Sequence, residues 1–260
     1  MDYALTFAWF LLVLVVAFCA DRFWGALLGR IYWVFIAPAV AVHELSHAVA
    51  CLLTFAKVRK VRLFGAGGGS VEHAPSKIPV VGQTIISLAP IAGCSAVLAL
   101  IGWLLKWPVA YGVKRVPMKV GTSDWSIKLF LNDVYDAVTG LGRALWRANY
   151  SEWRTWLFIY AVVALGIAMR PSREDMRHAV AGLVGFGLAA FGVDWLLNRW
   201  GYGKPVLSVA QYPLNYLVTF MCLVALLTLA AWALRALLRW AIGKHATPTK
   251  SAAPASKSTK

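Results

Sequence analysis

His43-Glu44-Leu45-Ser46-His47 sets two imidazoles and a carboxylate at the spacing H-E-x-x-H. Helix positions four apart share one face, so both imidazoles can reach a single metal ion. Glu44, beside the first of them, stands where a carboxylate can take a proton from water activated by that ion. The plainer reading is two packing histidines and a partnered glutamate. Against it, the motif lies in an apolar run long enough to cross a bilayer, where such groups are costly and mark functional sites. Spacing and setting together predict a zinc peptidase with its site within the membrane, holding one Zn2+ per chain.

Three protein ligands and one open position make a catalytic zinc site, so a third ligand is required. Cys51 continues the His43/His47 face but lies about 12 Å from His43 along a helix, too far to share the ion. Glu72 and His73 follow a glycine run and could fold back, although a polar loop end is the simpler account. Two aspartates compete more strongly. Asp175 opens a later apolar segment, and Ser172-x-x-Asp175 is also a capping-box variant that needs no metal. Asp194 lies inside that segment and could instead bond Asn198 or another helix. His47 and Asp175 are both expected near the cytoplasmic ends of their segments, which favours Asp175; Asp194 is the alternative.

The elements that must carry these residues are membrane helices. The chain has 260 residues, 60% of them hydrophobic and 14% charged, with a mean hydropathy of +0.66. Those values lie far from the soluble norm and fit an all-α integral membrane protein in contact with lipid. The net charge of +15 is spread over the joints between apolar runs and the C-terminal tail. No helix-turn-helix, zinc-finger or RNP-like pattern accompanies it, so nucleic acid is not expected as a partner. Cys19, Cys51, Cys94 and Cys222 all fall in apolar runs without C-x-x-C spacing, which argues against a disulfide framework.

About six spans are expected: Ala4–Ala20, Ala26–Ala56 with the H-E-x-x-H, Gly82–Trp107, Trp153–Met169, Ala179–Leu197 and Val206–Ile242. Asp21-Arg22 reads as a joint between the first two. Pro38, five residues before His43, frees a carbonyl and can kink the helix ahead of the site. Between the second and third spans, Lys57–Val81 reads as a short strand or hairpin around Gly65-Ala66-Gly67-Gly68-Gly69, because glycine clusters break helices. The region Pro108–Glu152 is expected outside the hydrocarbon. Its Ile127-Leu131-Val134-Val138 spacing predicts an amphipathic helix. Residues 1–243 thus form one multi-pass domain, followed by a basic tail over 244–260 with the composition of disorder. Positive charge at Lys57–Arg62, Arg170–Arg177 and the tail puts both termini in the cytoplasm of a cell-membrane protein.

H-E-x-x-H in a membrane helix, the glycine-rich segment after it and Ser87-Leu88-Ala89-Pro90-Ile91-Ala92-Gly93 in the next span resemble the site-2 protease family of intramembrane zinc metallopeptidases. The resemblance covers roughly residues 35 to 195. It implies a bundle of membrane helices and a third ligand from an aspartate in a later span, usually within L-D-G. This chain has no L-D-G; Pro171-Ser172-Arg173-Glu174-Asp175 looks like the counterpart in divergent members. The substrate implied is a membrane-anchored protein. A membrane helix must unwind before cleavage, and Gly67, Gly68 and Gly69 could offer a strand edge to the unwound segment. Asn215 could hydrogen-bond its backbone, as could Gln211, while His178 could orient Asp175. The alternative reading is a non-proteolytic membrane metal-binding protein or carrier, which would want more polar residues along a transmembrane path.

Overall fold

The computed structural model describes residues 2–65, 68–78, 81–105, 127–202 and 205–245. In chain order these form α1 (Asp2–Leu28), a 3-10 turn (Gly29–Ile31), α2 (Tyr32–Leu53), β1 (Val58–Arg62), β2 (Ser70–His73), α3 (Val81–Leu104), α4 (Ile127–Trp146), α5 (Trp153–Ala168), α6 (Arg173–Arg199) and α7 (Pro205–His245). Among them, three helical stretches are long and apolar enough to cross a membrane: Phe7–Leu53, Val81–Leu104 and Leu217–Ala241. A fourth apolar helix, Trp153–Ala168, is shorter. The chain is a helical protein of membrane type. Gly67, residues 106–126 of the expected extramembrane region and residues 246–260 of the tail lie outside the described residues.

The apolar patterning of α1 explains its place. Trp9, Val13, Ala17 and Ala20 are buried, while Leu11, Val15 and Phe18 on the opposite side are exposed. A helix that is apolar on both its packed and its outward face suits a lipid surround, where the outward face needs no water. The central element is α5, which packs against α1, α2, α3 and α7. Its run from Ala161 to Met169 is buried throughout. Close approach to α7 depends on Gly166, where a Cβ would stand 2.4 Å from Val224 Cγ2. The amphipathic α4 packs along α7, with Leu141 fully buried.

One expected boundary is corrected. Asp21-Arg22 is not a joint: α1 continues through it to Leu28. The helix can keep a carboxylate there because Asp21 is paired with Arg170 and accepts a hydrogen bond from the Tyr32 hydroxyl. The break falls instead at Gly29, whose φ of 54° is a left-handed conformation open to glycine.

The expected strand segment is an antiparallel hairpin. Lys60 faces Glu72, Val61 faces Val71 and Arg62 faces Ser70, with an irregularity between Val58 and Lys60. Gly68, at φ 106°, lies in the connection between the strands.

Candidate metal centre

Four elements meet at the site. The α2 helix supplies His43, Glu44 and His47; α3 lies beside it; the hairpin borders it; and the start of α6 supplies Asp175. Two glycines permit this closeness. A Cβ on Gly93 of α3 would stand 1.9 Å from Ser46 Oγ, inside the H-E-x-x-H turn itself. A Cβ on Gly182 of α6 would stand 1.6 Å from Thr84 Oγ1 of α3. Neither distance is open to a real side chain, so α2, α3 and α6 are stacked in order with a glycine backbone set against a hydroxyl side chain at each contact.

The two histidines face each other with Nε2 atoms 3.2 Å apart. Each is held from behind. His43 Nδ1 is 2.5 Å from the Ala168 carbonyl oxygen and His47 Nδ1 is 2.8 Å from that of Ile86. A carbonyl only accepts, so both Nδ1 atoms carry the proton and both Nε2 atoms turn a lone pair inward. Asp175 Oδ2 is 3.6 Å from His47 Nε2. Ligand atoms of His43, His47 and Asp175 all lie within 4.8 Å of one another.

This donor set fits a divalent ion. Donors about 2.0–2.1 Å from one tetrahedral ion stand roughly 3.3 Å apart, close to the spacing of the two Nε2 atoms. Two lone pairs aimed at one point, next to a carboxylate, repel unless a cation lies between them. Backbone carbonyls behind metal-binding histidines are a common orienting device. The His43–His47–Asp175 group can therefore hold a metal ion.

Asp175 does two things at once. Its backbone N–H donates to Ser172 Oγ, while its Oδ2 accepts from the Ser172 N–H, both at 3.1 Å. That is a complete capping box at the start of α6. A carboxylate has about four lone-pair sites, so capping and metal binding are compatible rather than alternative. The cap sets the rotamer that turns the carboxylate toward His47.

Asp194 is placed elsewhere. It is 2% exposed, and its Oδ1 accepts the Val206 N–H at 3.0 Å, capping the start of α7 behind Pro205. It is not in the ligand group, and neither is Cys51, which is fully buried. Glu44 is 7% exposed and lines the same cavity as the three ligands, a space of about 1030 Å³. Glu72, His73 and His178 line that cavity without joining the ligand group. His73 Nδ1 instead contacts the Ala74 carbonyl oxygen at 2.9 Å. Of the glycines, Gly69 lies directly against Glu44, and Gly68 packs near Trp33. Gln211 and Asn215 lie on α7, and their side chains fall outside the described set.

Sequence reasoning did not identify Ala168 and Ile86, whose contribution is a main-chain carbonyl that residue type does not announce. Nor did it pair Asp21 with Arg170. Comparison of the chain with protein-family models, with curated proteins and with solved structures returns no match.

Proposed function

We propose that this protein is an intramembrane zinc metallopeptidase, a divergent relative of the site-2 proteases, that hydrolyses peptide bonds of membrane-anchored proteins. The observation that carries the reading is the convergence of His43, His47 and Asp175 within 4.8 Å, with Glu44 on the same cavity. Zinc bound there would acidify water toward neutral pKa and polarise a peptide carbonyl. Glu44 accepts the proton of the attacking water and returns it to the leaving amine. The carbonyls of Ala168 and Ile86 hold the imidazoles in one tautomer, which would leave their Nε2 lone pairs free to hold the ion. Burial of Glu44 under Gly69 limits the water that reaches the carboxylate.

A substrate segment must be extended to be cut. Each strand of a two-stranded sheet keeps one edge unpaired, and the hairpin borders the cavity. The unwound segment pairs along that edge near Gly68 and Gly69. Phe7–Leu53, at 47 residues, is about 70 Å long at 1.5 Å per residue, enough for two crossings. With α3, α5, α6 and α7 this makes six spans, with both termini cytoplasmic by the distribution of positive charge.

Metal analysis and peptide cleavage in detergent test the proposal together. The wild type is expected to hold about one zinc per chain. His43→Ala loses it. Glu44→Gln keeps the metal and no longer cleaves a synthetic membrane-spanning peptide. A zinc-loaded wild type that cleaves no such peptide would falsify the peptidase reading and leave the metal-binding or carrier alternative, while cleavage retained by Glu44→Gln would remove Glu44 from the role of general base.

A further inference from the structure

The segment from Ala168 to Asp175 carries two parts of the metal centre: the carbonyl behind His43 at one end and a ligand at the other. Something must set its position relative to α2. Two residues past Ala168, Arg170 forms an ion pair with Asp21 of α1. The Tyr32 hydroxyl, from the first turn of α2, donates to Asp21 Oδ1. The Arg170 guanidinium also lies 5.5 Å from the centre of the Phe18 ring. Asp21 therefore holds both the helix that bears two ligands and the segment that bears the third.

We infer that Arg170 is a positioning residue for the metal centre, acting through Asp21 and Tyr32. The inference rests on the proposed zinc site. The Asp21 side chain is 18% exposed and that of Arg170 42%, so the pair is only partly screened. A guanidinium also fixes direction better than an ammonium, because its donors form a rigid fork. The latch lies on α1 and the α5–α6 connection, and neither Asp21 nor Arg170 lines the cavity. Its effect must be transmitted by holding Ala168 and Asp175 at the distance that the two histidines require.

Zinc affinity of the detergent-purified full chain, measured by competition with a chromophoric chelator, tests this, with thermal unfolding of the metal-free protein followed in parallel. Asp21→Asn and Arg170→Met are each expected to weaken zinc binding about 10-fold, the lower end of the cost of losing a direct outer partner, since neither residue touches a ligand. Because the two act as one unit, the double variant should bind no more weakly than the worse single variant. Arg170→Lys, which keeps the charge, should lie between wild type and Arg170→Met, and it stands in should Arg170→Met fail to fold. Single variants that bind zinc as the wild type does, even with a lowered unfolding temperature, would show a merely structural pair and overturn the inference. Additive losses in the double variant would overturn it too. A wild type that binds no zinc overturns the metal centre itself, so the two failures are distinguishable.

Discussion

Gly69 lies so close to Glu44 that a Cβ added there would stand 2.3 Å from Glu44 Cγ and 3.0 Å from the Arg62 carbonyl oxygen. The hairpin backbone presses on the proposed general base, and the only residue type that permits this is glycine. With strand backbone on one side and its own helix on the other, Glu44 has little room to turn away.

Gly69→Ala is therefore expected to displace Glu44 while leaving the two histidines in place. Cleavage should fall about 100-fold or more, the scale of general-base catalysis, with the zinc content unchanged. Metal analysis beside a peptide assay checks this. Loss of metal in this variant would mean that the hairpin supports the ligands rather than the base.

The two aspartates should separate cleanly. Asp175→Asn is expected to lose zinc, because a neutral amide is a poor substitute for the carboxylate. Ser172→Ala should keep zinc with reduced affinity and cost about 1 kcal/mol, the usual value of a lost helix cap. Asp194→Ala should keep zinc but destabilise the protein by about 1–3 kcal/mol, since the half-buried Val206 N–H loses its acceptor. Equal zinc loss in the Asp194 and Asp175 variants would contradict the assignment of the third ligand.

Helix spacing at the site is expected to tolerate no added volume at Gly182. A methyl group there meets Thr84 Oγ1 at 1.6 Å, so Gly182→Ala must push α6 from α3. The expected loss is about 1–3 kcal/mol, typical of overpacking. It should come with weaker zinc binding, because Asp175 travels with α6. Wild-type zinc affinity in a destabilised Gly182→Ala protein would show that α6 adjusts without moving its first turn.

Removal of zinc by a chelator should lower thermal stability. A ligand at 100 times its Kd stabilises by about 2.7 kcal/mol, so the unfolding temperature should rise with added zinc in the wild type and stay constant in His43→Ala. A zinc-dependent rise that survives in His43→Ala would place the stabilising ion elsewhere.

The H-E-x-x-H, the apolar helices and the hairpin after Ala56 were legible because each is local. Periodicity and glycine clusters act over a few residues, and an i, i+4 pair needs only one helix turn. The Asp21-Arg22 joint was misread for a related reason. A charge in an apolar run looks like a helix end unless its partner is known, and Arg170 is 149 residues away.

The same distinction separates the two aspartates. Residue type alone ranks Asp175 and Asp194 equally; the Ser172-x-x-Asp175 spacing announces a local cap, whereas Asp194 caps the start of α7 at Val206, twelve residues on. Sequence by itself determined that two histidines at metal-ligand spacing lie in an apolar helix and that a carboxylate stands beside them. Tertiary structure showed that Asp175, which matching depth favours, lies with the two histidines and Asp194 does not; it alone showed which carbonyls orient the imidazoles and what holds the connecting segment. Those depend on contacts between segments far apart in the chain: α2, α3 and α6 brought close at Gly93 and Gly182, the end of α5 set against His43, and Asp21 of α1 paired with Arg170.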